Sequence, residues 1–369
     1  MSVRRRRPLA EPAARAALEL TRAESEIALL DRVRPLNWVA EQTRLTRDLG
    51  SGTTSAPAFE YGPRAQLGEL RRRLGAMAGT LAQGDLESRL LAERALELEL
   101  EASLVEHVAT PEFAALATRR FPPPSASSGA GQMARELAGL APEPASDGRE
   151  PLHLSDDAHD PDSLWSQILR LLARVPAGVR VERVVGLVSL AAVAEGAVRV
   201  RAGARLSAAV ARRIALHEVE GHVRPRVTGR QLGGVFLGGT AFASEDEEGR
   251  AILLEQRAGI LTSTRRRELG WRFLAAESVR GHAEFWDTVE LLQQTGASSG
   301  TSVELACRVH RGGGLGRELI YLAGYLRVAS GLTARPELER FMSSGRASLR
   351  AAEMLLDGGV ELDDDGDVI

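Results

Sequence analysis

Six consecutive residues carry the densest chemistry in the sequence: His217-Glu218-Val219-Glu220-Gly221-His222. Two imidazoles five positions apart, with a carboxylate beside the first, form an HExxxH pattern, and neutral imidazole is a preferred ligand of zinc. In a regular α-helix a five-residue step turns about 500°, which leaves the second ring about 140° away from the first. The spacing therefore demands a widened, π-type turn, which Gly221 would tolerate, or a helix that ends at Gly221 and returns His222 from its C-terminus. Either geometry lets both rings share one ion.

A third ligand is available downstream. Ser207 is a suitable N-cap, and Val210, Ile214 and His217 follow on one helix face, so His217 points inward. Gly229, Gly233, Gly234, Gly238 and Gly239 then make a Gly-rich loop, after which Ser244 and Glu247 read as a capping box opening the next helix. Glu248 falls in the first turn of that helix, which is free to fold back beside the first. Two imidazoles and Glu248 leave a fourth position for water, the open coordination of catalytic zinc, with Glu218 placed as general base. The competing readings are a buried histidine with a hydrogen-bond partner, an exposed one at a helix end, and acidic residues that merely complement a helix dipole.

The string HEVEGH, followed by GGVFLGGT and EEGRAILLE, resembles the HExxxH tyrosine/glutamate carboxypeptidase-like metallopeptidases, whose eukaryotic members include the microtubule-associated tyrosine carboxypeptidases. The QEGLP or QEGLA motif of many bacterial relatives reads Glu247-Glu248-Gly249-Arg250-Ala251. Pro35-Leu36-Asn37 with Glu41, and Pro57-Ala58-Phe59-Glu60-Tyr61, are similar to the family's N-terminal helical segment. Arg308-Val309-His310-Arg311-Gly312 and Tyr321-Leu322-Ala323-Gly324 are similar to its RxxRG and YLxG segments. The similarity spans roughly residues 35 to 345. It implies a zinc peptidase with His217, His222 and Glu248 as ligands and Glu218 as base. Two departures stand out: Arg250 replaces a leucine common in relatives, and Leu315-Gly316-Arg317-Glu318 replaces Phe-Thr-Lys-Asp. The first is expected to leave the metal untouched, while the second bears on substrate selection.

The expected reaction is zinc-assisted removal of a C-terminal residue from a peptide or protein, with Glu218 moving the proton. A free C-terminal carboxylate needs a cationic partner, and the planar fork of arginine suits it. Arg308 and Arg311 are the candidates, with Tyr321 to bind substrate or stabilise the oxyanion. The alternative is a non-catalytic zinc-containing regulatory or interaction protein, against which the intact Glu218 argues. Gly296 to Gly300 matches the G-x-S-x-G of serine hydrolases but follows a helix instead of a strand, so it reads as a loop. His153 to Asp160 reads as a solvated loop in a Pro/Asp-rich stretch, and His107, His282 and His310 have no ligand-like spacing.

Composition narrows the field further. All 47 basic residues among 369 are arginine, which excludes lysine Schiff bases, P-loop lysines and Ser-Lys dyads. Net charge is −3 and aromatics are only 4%, so neither a global field nor stacking side chains point to nucleic acid. One cysteine, Cys307, permits no internal disulfide and suits a reducing compartment. No signal-peptide core follows Arg4 to Arg7, and the apolar run Val184 to Ala194 is short of the ~20 residues a spanning helix needs. The expectation is a soluble cytoplasmic protein with no membrane partner. Nothing in the sequence bears on oligomeric state.

These groups need helices to position them. Leucine spacings of three and four predict an all-helical first part, and Val179, Val181, Val198 and Val200 alternate with arginines to predict a small β-element over residues 179 to 202, turning at Glu195-Gly196. After Ser207 the pattern is helical again. The expected class is α+β, mainly helical. The chain divides on these patterns into an N-terminal helical extension (1–34), a helical part (35–120), a Pro/Gly/Ser/Asp-rich connection (121–160), a catalytic core (161–350) and an acidic tail (351–369).

Overall fold

The computed structural model describes residues 11–141, 150–175, 178–194 and 196–362. The basic run at 4–7, the acidic run at 363–367 and residue 195 of the expected turn lie outside them.

The first part of the chain is helical, as its leucine spacing requires: α1 (Glu11–Ile27), α2 (Leu29–Arg32), α3 (Trp38–Gly50), α4 (Gly68–Leu81), α5 (Leu86–Glu106), α6 (Phe113–Arg120) and α7 (Ala130–Ala138). Helix α5 starts where the Asp85 carboxylate accepts from the amide of Ser88 at 2.9 Å. It is buried on most of its circumference and is the spine of the core. Ala13, Ala17, Leu20 and Ile27 of α1 recur on one face and pack against it.

The β-element follows. β1 (Leu152–Leu154) precedes α8 (Leu164–Leu172), and then come β2 (Arg180–Val184), β3 (Ala191–Ala194), β4 (Ala197–Arg201) and β5 (Arg205–Ser207). Three strands form a mixed sheet in the order β2-β4-β3, with β2 parallel and β3 antiparallel to β4. Val198 and Val200 face the interior, which is the alternation seen in the sequence. The β1–β5 pair was not expected: each strand has three residues, too short for a period of two to register. It also alters the reading of His153, which lies in a strand and meets Asp160 Oδ2 at 2.6 Å instead of in a solvated loop.

The rest is helical: α9 (Ala208–Leu216), a π-helical turn (His217–Val223), α10 (Arg224–Leu232), α11 (Gly234–Gly238), α12 (Ala243–Arg257), α13 (Ser263–Arg280), α14 (Phe285–Gln294), α15 (Ser299–Gly314), α16 (Leu319–Ala334), α17 (Leu338–Ser343) and α18 (Leu349–Asp357). The G-x-S-x-G stretch runs from the loop after α14 into the first turn of α15, which Ser298 caps by accepting from the Thr301 amide at 3.2 Å.

Two packing units fix the site. Val219 and Val223 of the π turn join Leu164, Ile168, Val198 and Val200 in an apolar cluster, so the small sheet backs the histidine helix. Helices α12 and α16 cross at Gly249 and Gly324, where a β-carbon on Gly249 would stand 2.3 Å from the Gly324 carbonyl carbon. Only glycine permits that backbone contact. A separate apolar cluster draws on residues from Ala13 in α1 to Leu362.

Candidate metal centre and active-site cleft

Ser207 caps α9 as expected, its hydroxyl accepting from Val210 at 3.4 Å. Seven residues of π-helix then interrupt the α-helical path before it resumes as α10. Of the two geometries open to HExxxH, the chain adopts the widened turn. It brings the His217 and His222 rings to a centroid distance of 5.2 Å. Gly221 serves this turn through packing: a β-carbon there would stand 2.6 Å from Ala251 Cβ of α12.

Helix α12 comes alongside, but not through the expected capping box. It begins at Ala243 after Phe242, which takes a left-handed conformation (φ 62°), and Ser244 lies within the first turn, donating to Glu245 at 2.8 Å. Glu248 Oε2 lies 3.1 Å from His217 Nε2 and 3.7 Å from His222 Nε2. The three donor atoms lie within 4.8 Å of one another, and all three side chains are largely buried. Burial alone would depress both imidazoles; Glu248 and Glu255 lift His217 instead, and Glu247 and Glu248 lift His222 to about 10. Burial would likewise raise Glu248, yet hydrogen bonds from both imidazoles and the charge of Arg317 hold it well below the usual carboxylate range. Two imidazole nitrogens and one carboxylate converging in this way match the donor set of a first-row divalent ion such as zinc.

Glu218 lines the cleft beside this cluster, half-buried, with no hydrogen-bond or ion-pair partner among the described residues. Glu220, two positions on, is instead tied to Arg224 by two hydrogen bonds. The cleft has a volume of about 810 Å³. One wall comes from α1 and α2, another from residues 187–194 around β3, and a third from α15 and α16.

The arginines expected at the third wall differ in their surroundings. Arg308 is partnered: it donates to the Val188 carbonyl at 3.0 Å and lies 3.4 Å from Glu304 and 3.7 Å from Glu318. Arg311, only 5% exposed, lines the cleft with no hydrogen bond or ion pair among the described residues. Burial pulls its pKa down to about 10. It sits where α15 breaks, with Gly312 and Gly313 at positive φ. Tyr321 accepts from Arg317 Nη1 at 2.9 Å, which leaves its own hydroxyl proton free to donate.

The contacts of three residues at the site were not read from the sequence. Arg317, in the stretch that departs from the relatives' pattern, also donates from Nη2 to Glu248 Oε1 at 3.1 Å. Arg250, the other departure, donates to the carbonyls of Glu220 and Gly221 in the π turn at 2.8 and 2.9 Å. Glu255 meets His217 Nδ1 at 2.7 Å. Its position seven residues after Glu248, two helical turns on, was the available signal.

A helix-borne His/His/Glu cluster beside an unpartnered glutamate, set in a deep cleft, places the protein in the class of HExxxH helical proteins. The family model for microtubule-associated tyrosine carboxypeptidase matches residues 49–359, and the chain belongs to that family. Membership implies a carboxypeptidase-type peptide hydrolase. No curated protein and no solved structure matches the chain significantly. No helix among the described residues is long and apolar enough to cross a membrane.

Proposed function

We propose that the protein is a zinc-dependent carboxypeptidase acting in the cytoplasm on peptide or protein C-termini. His217, His222 and Glu248 would hold the ion, and Glu218 acts as general base. The carrying observation is the convergence of three donor atoms within 4.8 Å next to a cleft-lining carboxylate with no hydrogen bond or ion pair among the described residues. When bound, zinc supplies Lewis acidity that polarises a carbonyl and acidifies water near neutral pH. Glu218 takes the proton of the attacking water and delivers it to the leaving amine. Arg311, buried, with no ion pair among the described residues and Glu318 only in its wider electrostatic surroundings, receives the terminal carboxylate of the substrate, with Arg308 nearby. The Tyr321 hydroxyl, oriented by Arg317, donates to the oxygen that becomes negative as water adds.

Metal analysis and a peptide assay test this together. Wild-type protein should contain one zinc, Glu248→Ala and His222→Ala should lose it, and Glu218→Gln should keep it while turnover falls at least 100-fold. Undiminished zinc in both ligand variants would sink the site. Turnover indifferent to Glu218→Gln would favour a structural ion, and C-terminal amidation of the peptide should abolish cleavage.

A further inference from the structure

Each imidazole of the cluster turns its other ring nitrogen towards a second carboxylate of α12. His217 Nδ1 lies 2.7 Å from Glu255 Oε1, and His222 Nδ1 lies 3.7 Å from Glu247 Oε2. The Glu255 side chain is 0% exposed and is held on its far side by Arg213 at 3.4 Å and Arg265 at 3.5 Å. Glu247 faces Arg346 at 3.5 Å, and Arg346 is bound in turn to Glu24 of α1.

We infer that Glu255 and Glu247 are positioning residues, which fix the rotation and tautomer of the His217 and His222 rings so that both Nε2 atoms face the ion. This rests on the metal reading proposed above and deepens it. A carboxylate that accepts Nδ1–H dictates that the lone pair sits on Nε2 and makes that nitrogen a better donor to a metal. Glu255 would be satisfied as a buried anion by its two arginines alone, yet its shortest contact is to the imidazole. On the other side, His222 Nδ1 is a buried atom without a hydrogen-bond partner, and the carboxylate oxygen facing it at 3.7 Å is Glu247 Oε2. Glu247, Glu248 and Glu255 share helix α12, so one element sets the spacing of all three carboxylates.

The test is the zinc affinity of the full-length apo protein, measured by chelator competition, with the visible spectrum of the Co²⁺-loaded protein as a second readout. Glu255→Ala should weaken zinc 10- to 100-fold and shift the cobalt bands. Glu255→Gln should weaken it less, because the amide oxygen still accepts Nδ1–H, and it carries the test if the alanine variant fails to fold. Glu247→Gln should cost several-fold. Folded Glu255 variants that bind zinc within twofold of wild type, with unchanged cobalt spectra, would overturn the role of Glu255; the same result for Glu247→Gln would overturn that of Glu247. Wild-type protein that binds neither ion removes the metal reading itself, an outcome distinct from tight wild-type binding with indifferent variants.

Discussion

At the residue scale, Arg250 works on the backbone. A π turn shifts the hydrogen-bond ladder by one residue and leaves carbonyls seeking donors, and the buried Arg250 guanidinium supplies them at Glu220 and Gly221. Leucine has no donor to offer. Arg250→Leu should therefore cost about 2–4 kcal/mol of stability, read as a fall in the urea midpoint, and should weaken zinc by loosening the turn that carries His222. The convergence of His217, His222 and Glu248 was legible because their spacing has geometric consequences within one or two helices. Arg250 and Glu255 were not, since their roles exist only once α12 lies against the π turn. A sequence shows which face of a helix a residue occupies before it shows what that face meets.

At the element scale, the crossing of α12 and α16 decides where Glu248 stands. The EEG and YLxG segments were legible as motifs, but the reason for their glycines was not: each glycine makes room for the backbone of the other helix. Gly249→Ala would drive a methyl into the Gly324 carbonyl carbon at 2.3 Å, a backbone atom that cannot rotate away. The expected loss is about 3 kcal/mol in thermal or urea unfolding, with weaker zinc binding as α12 is pushed off register. Leu322 and Val328 of α16 are buried, so the helix cannot retreat without opening the core. The expected capping box failed for a related reason: Phe242 closes against the Glu97 carboxylate through its amide at 2.8 Å, and this tertiary contact starts the helix one residue before Ser244.

At the scale of the whole molecule, the segment read as an N-terminal extension packs into the core. The family match begins at residue 49, yet Leu20, Ile27 and Val33 are fully buried, and α1 and α2 supply one wall of the cleft. Burial of each large side chain contributes about 1.5–3 kcal/mol before the entropy of ordering the segment is subtracted, against a net domain stability of only about 5–15 kcal/mol, so loss of these contacts is expected to be felt by the whole fold. Deletion of residues 1–34 should lower the urea midpoint relative to that of the full chain. A truncated protein with an unchanged midpoint would show that α1 is dispensable. The mainly helical class and the small β-element were readable from periodicity; the joining of distant segments into one core was not, because apolar faces do not name their partners.

The cleft walls carry arginine wherever they carry a permanent cation, among them Arg226, Arg308, Arg311 and Arg317. A guanidinium keeps its charge at neutral pH, even at Arg311, where burial lowers the pKa to about 10. Acetylation, the usual covalent means of silencing a cation, acts on lysine amines and finds no target in this sequence. The arginine charge of this cleft is thus fixed: part of it is met by carboxylates of the walls, as at Arg308 and Arg317, and the rest is open to a competing anion or to the substrate itself.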